Sequence, residues 1–392
     1  MSEPLLAQAS IIKTMTASIR LKQPTRLLSF LRPVFYQGLF LFFGFLFVCI
    51  SAFAQPMGAD GDMFTYRVQA NDTLIKLAEQ YTLDGNNWTI LQEINHVEDP
   101  YRLPIGKVIK IPFSLIPVQP STAHLVHLHG QVRLNDAPAA LNATIQAGDT
   151  LSTAQNSFAT LELQDGSSLS LPAETQLYFQ QINQFVGVPL SDVIFVLEKG
   201  HIETNADPSG QGVGRYEIHT PVSVTGVRGT KMRVSSATDH SRTELLQGVA
   251  HIQGANLAPH LLQPQQGAAL DSQGNLQLAH LLDAPELLHQ QPGQGGVQLS
   301  FAPVPKAKYY LAVITADEAG HHIIGHQQSE TPDFVLRPLQ AGPHYAFIRA
   351  VDANDFMGLD TVIEYPGRRV LLDRSGQPVR TAFGLVVFLD DP

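Results

Sequence analysis

The strongest constraint on this chain is a short alternating stretch, FATLELQDGSSLSLP, from Phe158 to Pro172. Leu161 and Leu163 alternate with Glu162 and Gln164, and Leu169 and Leu171 repeat the period after an Asp165-Gly166 pair. A period of two places all four leucines on one face, and Asp-Gly is a favoured turn between antiparallel strands. Similar short runs fill most of the chain. They include HLVHLHGQVRL, Thr175–Phe179, Val193–Leu197, Tyr216–His219, Lys231–Ser235 and Gly248–Ile252, and Gly and Pro separate many of them. A chain punctuated this often cannot build long helices, so a mainly β, multidomain fold is predicted. At 392 residues it has room for two or three domains, each with its own core.

Only 15% of residues are charged, and the net charge is −10. That balance opposes general binding to nucleic acid, because neutralising phosphates needs clustered Lys and Arg. Before residue 55 the pattern differs. Arg20, Lys22, Arg26 and Arg32 precede an apolar run from Gly38 to Ile50, and SAFAQ follows it. A basic flank, an apolar core and small residues at Ala52 and Ala54 predict a secretory signal over residues 1–54, cleaved after Ala54. The competing reading is an uncleaved membrane anchor over Val34–Ala54, since that length approaches a bilayer span. The only cysteine, Cys49, lies inside the apolar run, with Phe47 and Val48 where a lipobox would need small residues. A cleaved chain is therefore free of cysteine and more acidic still. Disulfides, thiol catalysis and cysteine-built metal sites are excluded, which fits an exported bacterial protein of the periplasm or cell envelope.

Helical periodicity is concentrated between Phe64 and Pro112. Tyr66 and Val68 alternate as a strand, Leu74, Leu77, Ala78 and Tyr81 recur at helical spacing, and Asn71 and Asp72 offer caps. A second helix is expected from Asn87 or Trp88 to about Asn95, burying Trp88, Leu91 and Ile94. Val108 to Ile111 then returns as a strand after the Pro104-Ile105-Gly106 turn. This order, βααβ, together with Tyr66-x-Val68, Asp72-Thr73-Leu74, Leu77-Ala78, Tyr81, Leu91, Asn95, Leu103-Pro104-x-Gly106 and Ile109-x-Ile111-Pro112, resembles a LysM domain over residues 60–115. The acidic insert Val97–Pro100 departs from the pattern. The resemblance implies binding to the N-acetylglucosamine backbone of peptidoglycan or chitin, in a groove between two loops. Carried onto this chain, the glycan-binding residues are Asn71, Asp72, Thr73 and Leu74 on one side and Tyr101, Leu103, Pro104 and Ile105 on the other. The bland alternative is that Asn71 and Asp72 only cap the helix.

Pro117–Pro120 reads as a linker, and the next β-rich stretch is expected over residues 121–282. Ala147-Gly148-Asp149-x-Leu151-x-Thr153, Ala159 to Ser167, Gly200, Thr220-Pro221 and Val227-Arg228-Gly229-Thr230 resemble the FecR domain. FecR proper is a periplasmic sensor whose cytoplasmic N-terminus controls a sigma factor. Residues 1–37 are short for that regulatory part, so the resemblance implies a β-rich interaction platform for an envelope protein. A membrane-anchored, FecR-like signalling protein is the alternative. Arg228-Gly229-Thr230 is a candidate ligand site; the bland alternative is that Gly229 fits a β-bulge or a close backbone approach while Arg228 and Thr230 satisfy buried or edge groups.

Asp283–Gly296 reads as a second linker. VQLSFAPV, KYYLAVITA, DFVLRPL and HYAFIRAVDA then predict a small sandwich over residues 290–388, loosely similar to a fibronectin type III or Ig-like domain. Its inner face is expected to carry Leu299, Phe301, Tyr310, Ala312, Ile314, Tyr345, Phe347 and Arg349. No Gly-x-Ser-x-Gly elbow, His-Glu-x-x-His motif or phosphate loop occurs, so no enzyme and no cofactor are predicted. The best metal candidates are His124, His127 and His129, and then His321, His322 and His326. No neighbouring carboxylate completes the first set, and no metal site is assigned.

Overall fold

A computed structural model describes residues 58–206, 214–255, 257–293, 296–337 and 342–367, with isolated positions beyond. The expected signal segment and Cys49 lie outside the described residues. The described residues form one compact unit holding three hydrophobic cores. Among the described residues, no helix is long and apolar enough to cross a membrane.

The first core belongs to the βααβ module. Met63–Arg67 pairs antiparallel with Val108–Pro112, and a short preceding strand, Gly58–Asp60, extends the sheet. The first helix spans Leu74–Thr82, and Leu74, Leu77, Ala78 and Tyr81 are its buried face, as their spacing predicts. The second helix spans Trp88–Ile94. Only Leu91 is fully buried there, while Trp88 and Ile94, expected in the core, are half-buried. Side chains three residues apart drift by about 60° around a helix of 3.6 residues per turn, so Trp88 and Ile94 fall on either side of the face that Leu91 buries.

The central domain is a single 16-stranded sheet wrapped around one core. Leu161 pairs with Leu169 in register, the turn lies at Asp165-Gly166, and Gly166 has a φ of 81°. The long strands Ser191–Asn205, Ser223–Ser236 and His240–Gly254 exceed the short apolar runs that marked them. Their polar residues continue the ladder in positions that period alone leaves ambiguous. Leu257–Leu262, Gln266–Asp271 and Leu276–His280 close this sheet.

Both expected linkers are partly strand. Val118–Pro120 pairs with Asn183–Phe185, so the chain enters the central sheet as soon as it leaves the module. Leu287–Gly293 pairs with Gly296–Phe301, inside the second expected linker. Prolines are tolerated in both because each strand lies at a sheet edge and pairs on one side. The C-terminal part is a sandwich of a three-stranded and a four-stranded sheet. In Gly342–Val351 the inner face carries Ala346, Ile348 and Ala350. Tyr345, Phe347 and Arg349, expected inside, take the opposite face, and Arg349 is buried against the central domain instead. Leu299, Phe301, Tyr310, Ala312 and Ile314 do line the sandwich core.

Candidate functional site

The two loops named from sequence come together at one end of the βααβ module. Leu74 N–H donates to the Pro100 carbonyl at 3.0 Å, and Gly106 N–H donates to the Val68 carbonyl at 2.9 Å. These bonds hold residues 69–74 beside residues 100–106. The acidic insert takes part: Asp99 accepts from the Tyr101 N–H at 2.9 Å, Pro100 supplies the bridging carbonyl, and Val97 is buried. The insert is thus a wall of the site.

The candidate residues divide by role. Thr73 is the helix N-cap, accepting from Lys76 N–H at 3.3 Å, so the cap falls one residue later than Asn71 or Asp72. Asp72 instead fastens the loop to the sheet. Its Oδ2 accepts from Tyr66 OH at 2.9 Å and from Gln69 N–H at 2.7 Å. Burial, then the Asp72 carboxylate, pushes the Tyr66 phenol up, and burial pushes Tyr81 up to about 12. Both phenols stay protonated, which keeps Tyr66 a donor. Asn71 is exposed with a φ of 71°, and its carbonyl accepts from Lys76 Nζ at 2.8 Å. Leu74 and Leu103 belong to the core, whereas Tyr101 is 66% exposed and Ile105 is 72% exposed. Pro104 is exposed between them. Side chains free to meet a ligand are therefore Asn71, Tyr101, Pro104 and Ile105, while Asp72, Thr73, Leu74 and Leu103 shape the loops that carry them.

This end of the module is open to solvent because the opposite end is the one that docks. Phe185, Val188 and Leu190 of the central domain join the module's core. Phe113 stacks on Phe185 with ring centroids 4.6 Å apart, and the Gln80 carbonyl, near the far end of the first helix, lies beside Gly187. That helix separates the candidate loops from the docked end by roughly 13 Å. Sequence reasoning missed Phe185, Val188 and Leu190, since nothing local distinguishes a hairpin that packs on another domain. A cleft of about 840 Å³ beside the docked end is lined by Asp62, Phe113, Asp192, Arg215, Glu217 and His251. It lies away from the candidate loops, and Arg215 Nε pairs with Asp192 there at 2.6 Å.

In the second motif, Gly229 has a φ of 59°. The register against His240–Gly254 shifts between Arg228 and Lys231, so the expected bulge is present. Gly248 faces it with a φ of 86°, and an added Cβ there would stand 2.1 Å from the Gly229 carbonyl oxygen. Both glycines answer to backbone geometry. The histidines considered for metal also find other work. His127 Nε2 bonds the Ile323 carbonyl at 2.8 Å, and its ring stacks on His322 at 4.9 Å. Among the described residues, no group of three or more His, Cys, Asp or Glu is set to hold a metal ion.

The chain is a modular protein, a small two-helix module with exposed apolar loops joined to a large β domain. Residues 66–112 match the LysM domain family, and residues 149–251 match the FecR protein family. The chain thus carries a LysM domain followed by a FecR domain, in the order that its motifs predict. Neither is a catalytic family. No curated protein matches the chain. Among solved structures, two of a candidate anti-sigma factor from Parabacteroides distasonis overlap 33% of this chain and 59% of theirs. Their identities are 17% and 15%, with TM-scores of 0.28 and 0.27. A β-1,2-glucanase from the same organism overlaps 63% of this chain and 38% of its own, at 13% identity and a TM-score of 0.19. The chain spans less than two thirds of each of these structures, and scores this low carry neither fold nor function across.

Proposed function

We propose that this protein is an exported cell-envelope component that holds the N-acetylglucosamine backbone of peptidoglycan through its LysM domain. The FecR domain and the C-terminal sandwich, over about 121–282 and 290–388, then present surfaces to an envelope protein. The observation that carries this reading is the exposed apolar rim of Tyr101, Pro104 and Ile105 beside Asn71, at the solvent end of a module whose other end is docked. An N-acetyl sugar offers an amide that needs backbone donors and acceptors, and a methyl and ring face that need apolar contact. Loops 69–74 and 100–106 supply both kinds of group. Nucleic acid is not a partner in this reading, given the net charge of −10.

The test is co-sedimentation of the protein with insoluble peptidoglycan. Tyr101→Ala with Ile105→Ala removes exposed side chains only, so stability should change by less than about 0.5 kcal/mol. Losing two apolar contacts of this size should weaken pelleting by roughly tenfold or more. Unchanged pelleting by the folded double variant would refute the assignment of these loops. The FecR match favours a second reading, in which the chain is membrane-anchored and passes a signal to a partner. Fractionation separates the two, because an anchored chain stays with membranes after the wall is digested.

A further inference from the structure

The central domain and the sandwich meet along a polar seam with two chemically different ends. At one end, histidines from both sides interlock. His127 bonds the Ile323 carbonyl and stacks on His322. His321 Nε2 lies 3.1 Å from Ser168 Oγ, and Thr160 Oγ1 donates to the His321 carbonyl. Phe158 packs edge-on to His326 at 5.7 Å and also meets His129. At the other end, two buried arginines and two carboxylates cross the seam. Arg349 of the sandwich bonds Glu203 of the central domain at 2.5 Å, and Arg233 of the central domain bonds Asp360 of the sandwich. Arg349 and Asp360, both of the sandwich, pair at 2.7 Å, and Arg233 also donates to the Gly358 carbonyl at 2.8 Å. Between the ends lies a gap of about 40 Å³, room for about one water.

We propose that this seam is an acid-released contact, which opens at its histidine end as pH falls and pivots on its arginine–carboxylate end. His127, His321 and His322 are half-buried in the closed seam, among imidazole or cationic neighbours, whereas His129 and His326 are exposed at its rim. Burial holds His127 below the ordinary histidine value, with His322 and His129 adding to the effect, while the Ile323 bond and Asp317 oppose it. Burial likewise lowers His321, with His322 and Lys231 in support and Asp317 and Glu162 opposing. Asp317 is already engaged by the backbone N–H groups of His321 and His322, at 3.1 and 2.5 Å. The sign follows from these directions. A histidine with a lowered value in the closed seam favours closure fully above its free value near 6.5, and that contribution is lost as pH falls through the closed value. At the pivot, burial raises the Glu203 carboxyl, but Arg349 and Arg233 outweigh it and hold it at about 2. Glu203 therefore stays paired through the range in which histidines charge. Glu244, which accepts from the Met357 N–H across the seam and is pushed up to about 7 by burial, takes up its proton in that range and favours closure of this end. Opening uncovers the hydroxyls of Thr160 and Ser168 on the central domain, a hydrogen-bonding face for a partner.

Spin labels at Leu141→Cys and Gln328→Cys, in a full-length chain carrying Cys49→Ser, would report the distance across the histidine end between pH 7.5 and pH 5. The expected result is one short distance at pH 7.5 and a growing longer one below about pH 6.5. The open-to-closed ratio should change by up to about 100-fold per pH unit if both histidines take up a proton, with the β-sheet circular dichroism unchanged. His127→Gln with His321→Gln keeps polar groups at both positions without a titrating ring, and should hold the short distance down to pH 5. A single short distance at every pH, or a lengthening that persists in the double variant, overturns the proposal. Should that variant fail to fold, the original chain decides alone: lengthening that coincides with loss of β-sheet signal is unfolding, and it overturns the proposal too.

Discussion

Replacing Asp360 with alanine would leave two buried arginines to share one carboxylate. Arg233 and Arg349 have side chains only 1% and 2% exposed, and Asp360 itself is 12% exposed. In the intact seam Asp360 accepts from Arg349 Nε and from Arg233 Nη2, while Glu203 serves Arg349 and lies 3.4 Å from Arg233 Nε. Glu244, also buried nearby, is pushed up to about 7 by burial, with Arg233 only partly offsetting it. It therefore supplies at most part of a balancing charge. Removing one partner from a buried pair costs about 3–5 kcal/mol, mostly from the charge left without compensation. Because Asp360 reaches some solvent, about 3 kcal/mol is the expected loss. For a folded body of this size that corresponds to a fall in Tm of roughly 6–12 °C. Thermal unfolding followed by circular dichroism at pH 7 would measure it. Changing Arg233, Arg349, Glu203 and Asp360 together to apolar residues of similar volume should restore much of the stability. A loss below about 1 kcal/mol for Asp360→Ala alone would show that water solvates the guanidinium groups and that the reasoning from burial is wrong.

Glu244→Gln should remove a pH dependence. A carboxyl raised to about 7 adds stability that is present below its unfolded value and lost as pH rises through 7, so urea midpoints at pH 5 and pH 8 should converge in the variant. Phe185→Ala removes the ring stacked on Phe113 and should cost about 3 kcal/mol. Faster hydrogen exchange over residues 185–190 and 113–116, with peptidoglycan pelleting retained, would confirm that this contact docks the LysM domain without forming the glycan site. Gly248→Ala sets a Cβ against the Gly229 carbonyl at a φ of 86° and should lose about 2 kcal/mol or more, measured by chemical unfolding. Asp72→Ala cuts the loop's bonds to Tyr66 and Gln69. It should weaken pelleting through disorder of residues 69–72, visible as faster exchange there, whereas Tyr101→Ala should leave exchange unchanged.

Local pattern determined much of this protein. The spacing of Leu74, Leu77, Ala78 and Tyr81 specifies a buried helical face, and it is buried. The alternation around Asp165-Gly166 specifies a hairpin with Leu161 opposite Leu169, and Gly229 in its motif marks a bulge. These features follow from hydrophobic period and backbone sterics, which act over a few residues and so leave a local trace. The solvent-facing loops at Tyr101 and Ile105 were legible only because a family motif named them. What lies between domains had no such trace. Ser168, Ser170 and Thr160 occupy the polar side of their hairpin, yet all three are buried, two of them bonded to His321 on the sandwich. Tyr345, Phe347 and Arg349 alternate as a core face should, but the sandwich core took the other register and put Arg349 against Glu203. The seam joins Arg233 to Asp360 and Glu203 to Arg349, partners far apart along the chain. A charge whose partner is that distant looks, in sequence, like any surface residue. Only the tertiary structure decides that it is buried, because pairing depends on which two faces meet rather than on the period of either strand.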